Sequence, residues 1–274
     1  MGLNNTTFAW RGQVRHFGKH EKYSVLAFDN RGVGNSDTPS GPYSTSTMAE
    51  DVITLLDYVG WKGRRQLHVI GISMGGMIAM ELATRIPDRI ATLGLISTKS
   101  GPRGLGSFPS YKGLSNLLRS LGTRDPKKKI PYAIEMLYPP EYLESPVPGD
   151  PDGKTGWEVQ KTNFLTRMEV SRPQQLIGAL SQLAATVTHN VSPERLASIA
   201  KSIPKILILT GDSDKVVDPR NSYLINEDMR EGSVEFVVWE KTGHAPNGQW
   251  PQRFNELIER VCADGREKSS PVSS

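Results

Sequence analysis

The sequence predicts an α/β protein: a mostly parallel sheet covered by helices on both faces, with a helical block inserted between two of its strands. Three observations carry this expectation. Short apolar runs alternate with longer segments of helical periodicity, the pattern of strand–helix–strand units. The runs are apolar throughout instead of alternating, as in strands buried on both faces. From Thr98 to about Ile203 the rhythm breaks, and helix-like stretches separated by Pro/Gly-rich turns replace it. At 274 residues, 37% hydrophobic and 23% charged, the chain is long and apolar enough to bury a large core.

Taken in order, Tyr23 to Phe28 (YSVLAF) reads as a buried strand ending in the turn-rich Asp29-Asn30-Arg31-Gly32. Thr47 to Val59 places Val52, Leu55, Leu56 and Val59 on one helical face and stops at Gly60. Gln66 to Ile72 (QLHVIGI) is a second strand, turning through Ser73-Met74-Gly75-Gly76 into a helix that Pro87 closes. Ala91 to Ser97 is a third strand. After the helical block, Lys205 to Thr210 (KILILT), a helix beyond Pro219, Val234 to Trp239 (VEFVVW) and a last helix from Pro251 restore the alternation. The expected organisation is a discontinuous core of residues 1–98 and 204–265, a helical cap of residues 99–203 and a disordered tail of residues 266–274. Within the cap, Ser145 to Gly156 is an exposed loop by its turn chemistry, and Pro173 suits a first helical position.

Composition excludes several function classes. Net charge is +4, and the one basic cluster, Lys127-Lys128-Lys129, has no interleaved aromatics, so no nucleic-acid partner is expected. No run approaches the ~18 apolar residues of a membrane span. The start Met1-Gly2-Leu3-Asn4-Asn5-Thr6 formally fits an N-myristoylation signal, but without a neighbouring polybasic run no stable membrane anchor is expected. A single cysteine, Cys262, lies in the apolar pattern of the last helix; it reads as packing and fits a reducing, cytoplasmic compartment. No G-x-G-x-x-G or Walker-type Gly-Lys-Ser/Thr is present, so no nucleotide cofactor is expected. No metal site is expected either, no ligand-spaced pair and no cluster of ligand types being read along the chain. Oligomeric state is not legible in the sequence.

Ligands of open α/β sheets bind beyond the carboxyl ends of the strands. Just past QLHVIGI stands Ser73, inside Gly71-Ile72-Ser73-Met74-Gly75, a G-x-S-x-G turn between strand and helix. A serine there adopts a strained backbone that near-absent side chains two residues away permit, and its hydroxyl gains a helix N-terminus. Such a hydroxyl needs a base, and the base needs an acid to orient it. Of the five histidines, His244 alone directly follows a core strand. The acid comes from the loop Gly211 to Pro219, where spacing favours Asp214, then Asp212; Asp218 suffices as a turn residue before Pro219. Asp29 is expected to tie down its own loop.

With these residues in place, the chain resembles the α/β-hydrolase superfamily, in its branch of capped esterase, lipase and epoxide-hydrolase-like enzymes. The pieces that match are Asp29 to Asp37 (DNRGVGNSD), Gly71 to Gly76 (GISMGG), Gly211 to Pro219, and Gly243-His244, in the order nucleophile, acid, base. The resemblance implies that Met1 to Asn5 takes the place of a His-Gly-x-x loop, so that the backbone N–H groups of Met74 and Leu3 form the oxyanion hole. It also implies that the strands usually preceding that loop are absent, one of them from between YSVLAF and QLHVIGI. The chain is therefore expected to be an N-terminally incomplete piece of a longer one. The function implied is a serine hydrolase that cleaves a carboxylic ester of a small or lipid-like molecule through an acyl-enzyme, with no cofactor. The same triad also serves C–C bond hydrolysis or acyl transfer. A non-catalytic binding protein or inactive fragment is the alternative from another class.

Overall fold

A computed structural model describes residues 1–102 and 126–270. Four parallel strands form one sheet in the order β1 (Leu67–Ile72), β2 (Ile90–Ile96), β3 (Lys205–Gly211), β4 (Val234–Trp239). Every residue of β2 and β3 is buried, as strands covered on both faces must be. Side chains alternate between two cores with the period-two pleat. Ile206 and Ile208 pack with α2 (Thr45–Tyr58), α3 (Met74–Arg85), α8 (Pro193–Ser202) and α9 (Arg220–Asp228). Leu207 and Leu209 face the other way, toward Phe17 of α1 (Arg11–Phe17) and Phe254, Ile258 and Val261 of α11 (Pro251–Ser269).

Two expectations are corrected. Tyr23–Phe28 is not a strand. A strand exists only through its ladder, and the N–H groups of residues 24–28 reach no acceptor among the described residues. Between this segment and the free edge of β1 lies a cavity of about 600 Å³, lined among others by Leu26, Phe28, Leu67, Val69 and Phe254. The two backbones thus stay apart where the sequence analysis placed an absent strand. The tail is the second correction: α11 continues through Ser269, four residues beyond the expected core limit. Arg266 holds this extension by donating to Tyr23 Oη at 3.0 Å and stacking on its ring.

Between β2 and β3, the described residues contain helices α4 (Pro126–Leu137), α5 (Pro140–Glu144), α6 (Gly156–Val170), α7 (Leu176–Thr188) and α8. The first three share a small core around Ile130, Ile134, Tyr138 and Tyr142, joined by Trp157, Phe164 and Met168. Thr155 caps α6 in a reciprocal box with Glu158. Phe108, Tyr111 and Leu117, apolar residues of the sequence between β2 and β3, lie outside the described residues.

Candidate active site

The sheet's carboxyl edge gathers the expected residues. Ser73 is the hinge between β1 and α3, with φ +56° and ψ −123°, a region that side chains other than glycine rarely adopt. The strain is held from both sides. The Ser73 N–H donates to Ile96 O of β2 at 2.9 Å, and Thr98 Oγ1 donates to the Ser73 carbonyl at 2.7 Å. The flanking glycines are there for space: a Cβ on Gly71 would lie 2.2 Å from the Gly75 carbonyl oxygen, and one on Gly75 2.7 Å from Met1 N.

Two strands away, β3 and β4 end side by side, with Gly211 paired to Trp239. Their loops carry Asp214 and His244, whose Oδ2 and Nδ1 are 2.8 Å apart, with both side chains almost wholly buried. The other carboxylate oxygen of Asp214 accepts the N–H groups of Val216 and Val217 at 2.8 and 3.0 Å. Those bonds fix the acid's rotamer, and the carboxylate in turn holds the proton on Nδ1 so that Nε2 is free to act as a base. The His244 N–H donates to Leu137 O at 2.9 Å, which anchors the histidine loop to the end of α4. No hydrogen bond joins Ser73 Oγ to His244 Nε2 among the described residues; such bonds often tighten only when substrate binds. Asp212 instead accepts from Ser213 Oγ in its own loop and from Thr242 N in the loop that carries His244. Asp218 pairs with Arg220.

Residues 1–5 lie against the serine turn: a Cβ on Gly2 would be 3.6 Å from Ser73 Cβ. The Leu3 N–H has no acceptor among the described residues. Met74 opens α3, whose first N–H groups have no intrahelical partner. Asn4 N donates to Gln182 Oε1 of α7 at 2.9 Å, and Gln182 Nε2 donates to Arg31 O, so one buried amide ties α7, residues 1–5 and the DNRGVG loop together. Asp29 bonds Asn35 N within its own loop, as expected, and also Thr7 N at 2.7 Å.

Two features escaped the sequence analysis. Arg167 of α6 donates to Asn5 Oδ1 at 2.7 Å and lies over the Phe164 ring at 5.1 Å. It has no carboxylate partner among the described residues, and burial lowers its pKa. Nothing local in the sequence signals this. The second feature is legible: His16 and His20 have His-x-x-x-His spacing and meet Glu259 of α11, where no metal-ligand set was expected.

Comparisons with known proteins agree with the fold. A family model described as alpha/beta hydrolase fold matches residues 2–249. The 3-oxoadipate enol-lactonase 2 of Acinetobacter baylyi is 27% identical, over 94% of this chain and 85% of that protein. Among solved structures, a thermophilic esterase from Thermogutta terrifontis superposes with TM-score 0.72 at 22% identity, covering 98% of this chain and 88% of its own. The meta-cleavage product hydrolase from Pseudomonas fluorescens IP01 gives 0.73 at 19% identity, covering 97% and 88%. From its parallel sheet, its serine turn and the match over nearly its whole length, the chain belongs to the α/β-hydrolase family.

Proposed function

We propose that the protein is a serine hydrolase acting on carboxylic esters or lactones through an acyl-enzyme. The observation that carries this reading is the buried Asp214–His244 pair, facing the same sheet edge as the strained Ser73. His244 Nε2 takes the Ser73 proton as Oγ attacks the ester carbonyl, and Asp214 stabilises the imidazolium that forms. The N–H groups of Met74 and Leu3 receive the oxyanion, a contribution for which loss of one donor typically costs ~10²–10³ in rate. The imidazolium then gives its proton to the leaving alkoxide. Water, deprotonated by His244, attacks the acyl-enzyme and releases the acid and Ser73.

For the substrate, two readings stand. The apolar cap residues suit a small or lipid-like acyl ester. Arg167, a cation beside the residue 1–5 loop with no acidic partner among the described residues, favours a small ester or lactone that itself carries a carboxylate. The lactone named for the Acinetobacter relative supports the second.

Intact-mass labelling with a fluorophosphonate tests the chemistry. One adduct is expected on the parent, none on Ser73→Ala, and slow labelling on His244→Ala. An adduct that survives in Ser73→Ala, or a soluble, monodisperse parent that never labels, would overturn the assignment.

A further inference from the structure

On the side of the sheet carrying α1 and α11, three side chains of metal-binding type converge. His16 lies in the last turn of α1, and the chain continues through 3-10 bonds, Lys19 N to His16 O and His20 N to Phe17 O. That continuation keeps His20 one turn above His16, with the imidazole centroids 5.1 Å apart. Glu259 of α11 faces both, its Oε2 3.5 Å from His16 Nε2 and its Oε1 4.0 Å from His20 Nδ1. All three ligand atoms fall within 4.8 Å of one another.

We propose that His16, His20 and Glu259 bind one divalent transition-metal ion of the zinc class, clamping the end of α1 to α11. A second observation points the same way: His16 Nε2 is shut off from solvent and has no hydrogen-bond partner among the described residues, although it lies 3.5 Å from the carboxylate. A buried ring nitrogen left so is costly, and a metal satisfies it. Tetrahedral zinc with bonds of about 2.0–2.2 Å sets its ligand atoms about 3.3 Å apart, so small side-chain rotations from the distances seen suffice. Two imidazoles and one carboxylate select zinc-like ions over magnesium or calcium, which favour oxygen. The side chains of His16, His20 and Glu259 are 33%, 37% and 41% exposed, leaving a path for the ion and room for water as a further ligand. Cys262, one turn along from Glu259, is not among the three converging ligand atoms. Arg266 opposes a cation here, but its guanidinium is committed to the Tyr23 ring and hydroxyl. The clamp also braces the cavity wall, since His20 and Phe17 both pack edge-on against Tyr23.

The test is titration of untagged, chelator-treated protein with ZnCl2 by calorimetry, in the parent and in His244→Ala, which removes a competing imidazole. One equivalent bound in both is expected, with affinity at least about tenfold weaker in His20→Ala and in Glu259→Gln. The same titration with CoCl2 should give visible absorption bands in the parent that vanish in His16→Ala. The three ligand side chains are partly exposed, and circular dichroism checks that every variant, the buried His244→Ala included, folds. Absence of zinc binding in the parent, or binding that neither variant weakens, would overturn the site.

Discussion

At the scale of single residues, Arg167 carries more consequence than its place on α6 suggests. A partly buried guanidinium without a carboxylate is poorly compensated by one amide oxygen and one aromatic face. A substrate carboxylate would complete the set. Arg167→Met keeps the packing and removes the charge. It should raise KM for esters of dicarboxylic half-acids about tenfold or more while leaving simple short-chain esters nearly unchanged, as measured by steady-state kinetics on a matched pair. Equal effects on both members of the pair would refute the acidic-substrate reading. Ser73, His244 and Asp214 could be named from the sequence because each stands at a fixed point after a strand. Arg167 could not, because its meaning comes from a partner 162 positions away.

Among elements, the contact of α3 with α8 hangs on one buried carboxylate. Glu81 accepts from Arg195 of α8 and from Arg85 of its own helix, with only 7% of its side chain exposed. Burial pushes its pKa up, but the bonds from Arg195 and Arg85 outweigh that and hold it below the usual range. Glu81→Gln leaves two guanidiniums facing a neutral amide. It should cost about 2 kcal/mol, since both arginines keep some water, and a urea melt would read this as a lower midpoint at unchanged slope. The strands β1 to β4 and the main core helices were legible because their apolar periods are strong. Tyr23–Phe28 misled for a physical reason: the residues are those of a strand, but ladder bonds depend on a neighbour that local sequence does not encode. The α11 extension was missed because its charged residues, Arg266 and Lys268, resemble a tail until Tyr23 is seen beneath them.

For the whole molecule, acid is the weakness. His189, 2% exposed, has its pKa pushed down to about 4 by burial, and its Nε2 has no partner among the described residues. His68, half-buried, is likewise held at about 4, by burial first and then by Arg266. Between the ordinary value of 6.5 and 4, the unfolded chain binds the protons that the folded one refuses. Their contribution is therefore intact above about pH 6.5 and is lost as the pH falls through 4. For His189 the span amounts to on the order of 3 kcal/mol. Chemical denaturation across this range should show stability falling with acid, and His189→Gln should flatten that slope whatever it does to the absolute value. The cavity beside β1 has a different consequence. It is bordered by two stretches of main chain whose hydrogen-bonding groups on that side have no partners among the described residues, and such a border is a template for an extended chain. A second molecule opening the same border could pair with the first, so crowding favours edge-to-edge association. Lys22 at the rim and the net charge of +4 are the features that oppose it, which makes solubility here a balance between an open ladder and a thin film of like charge.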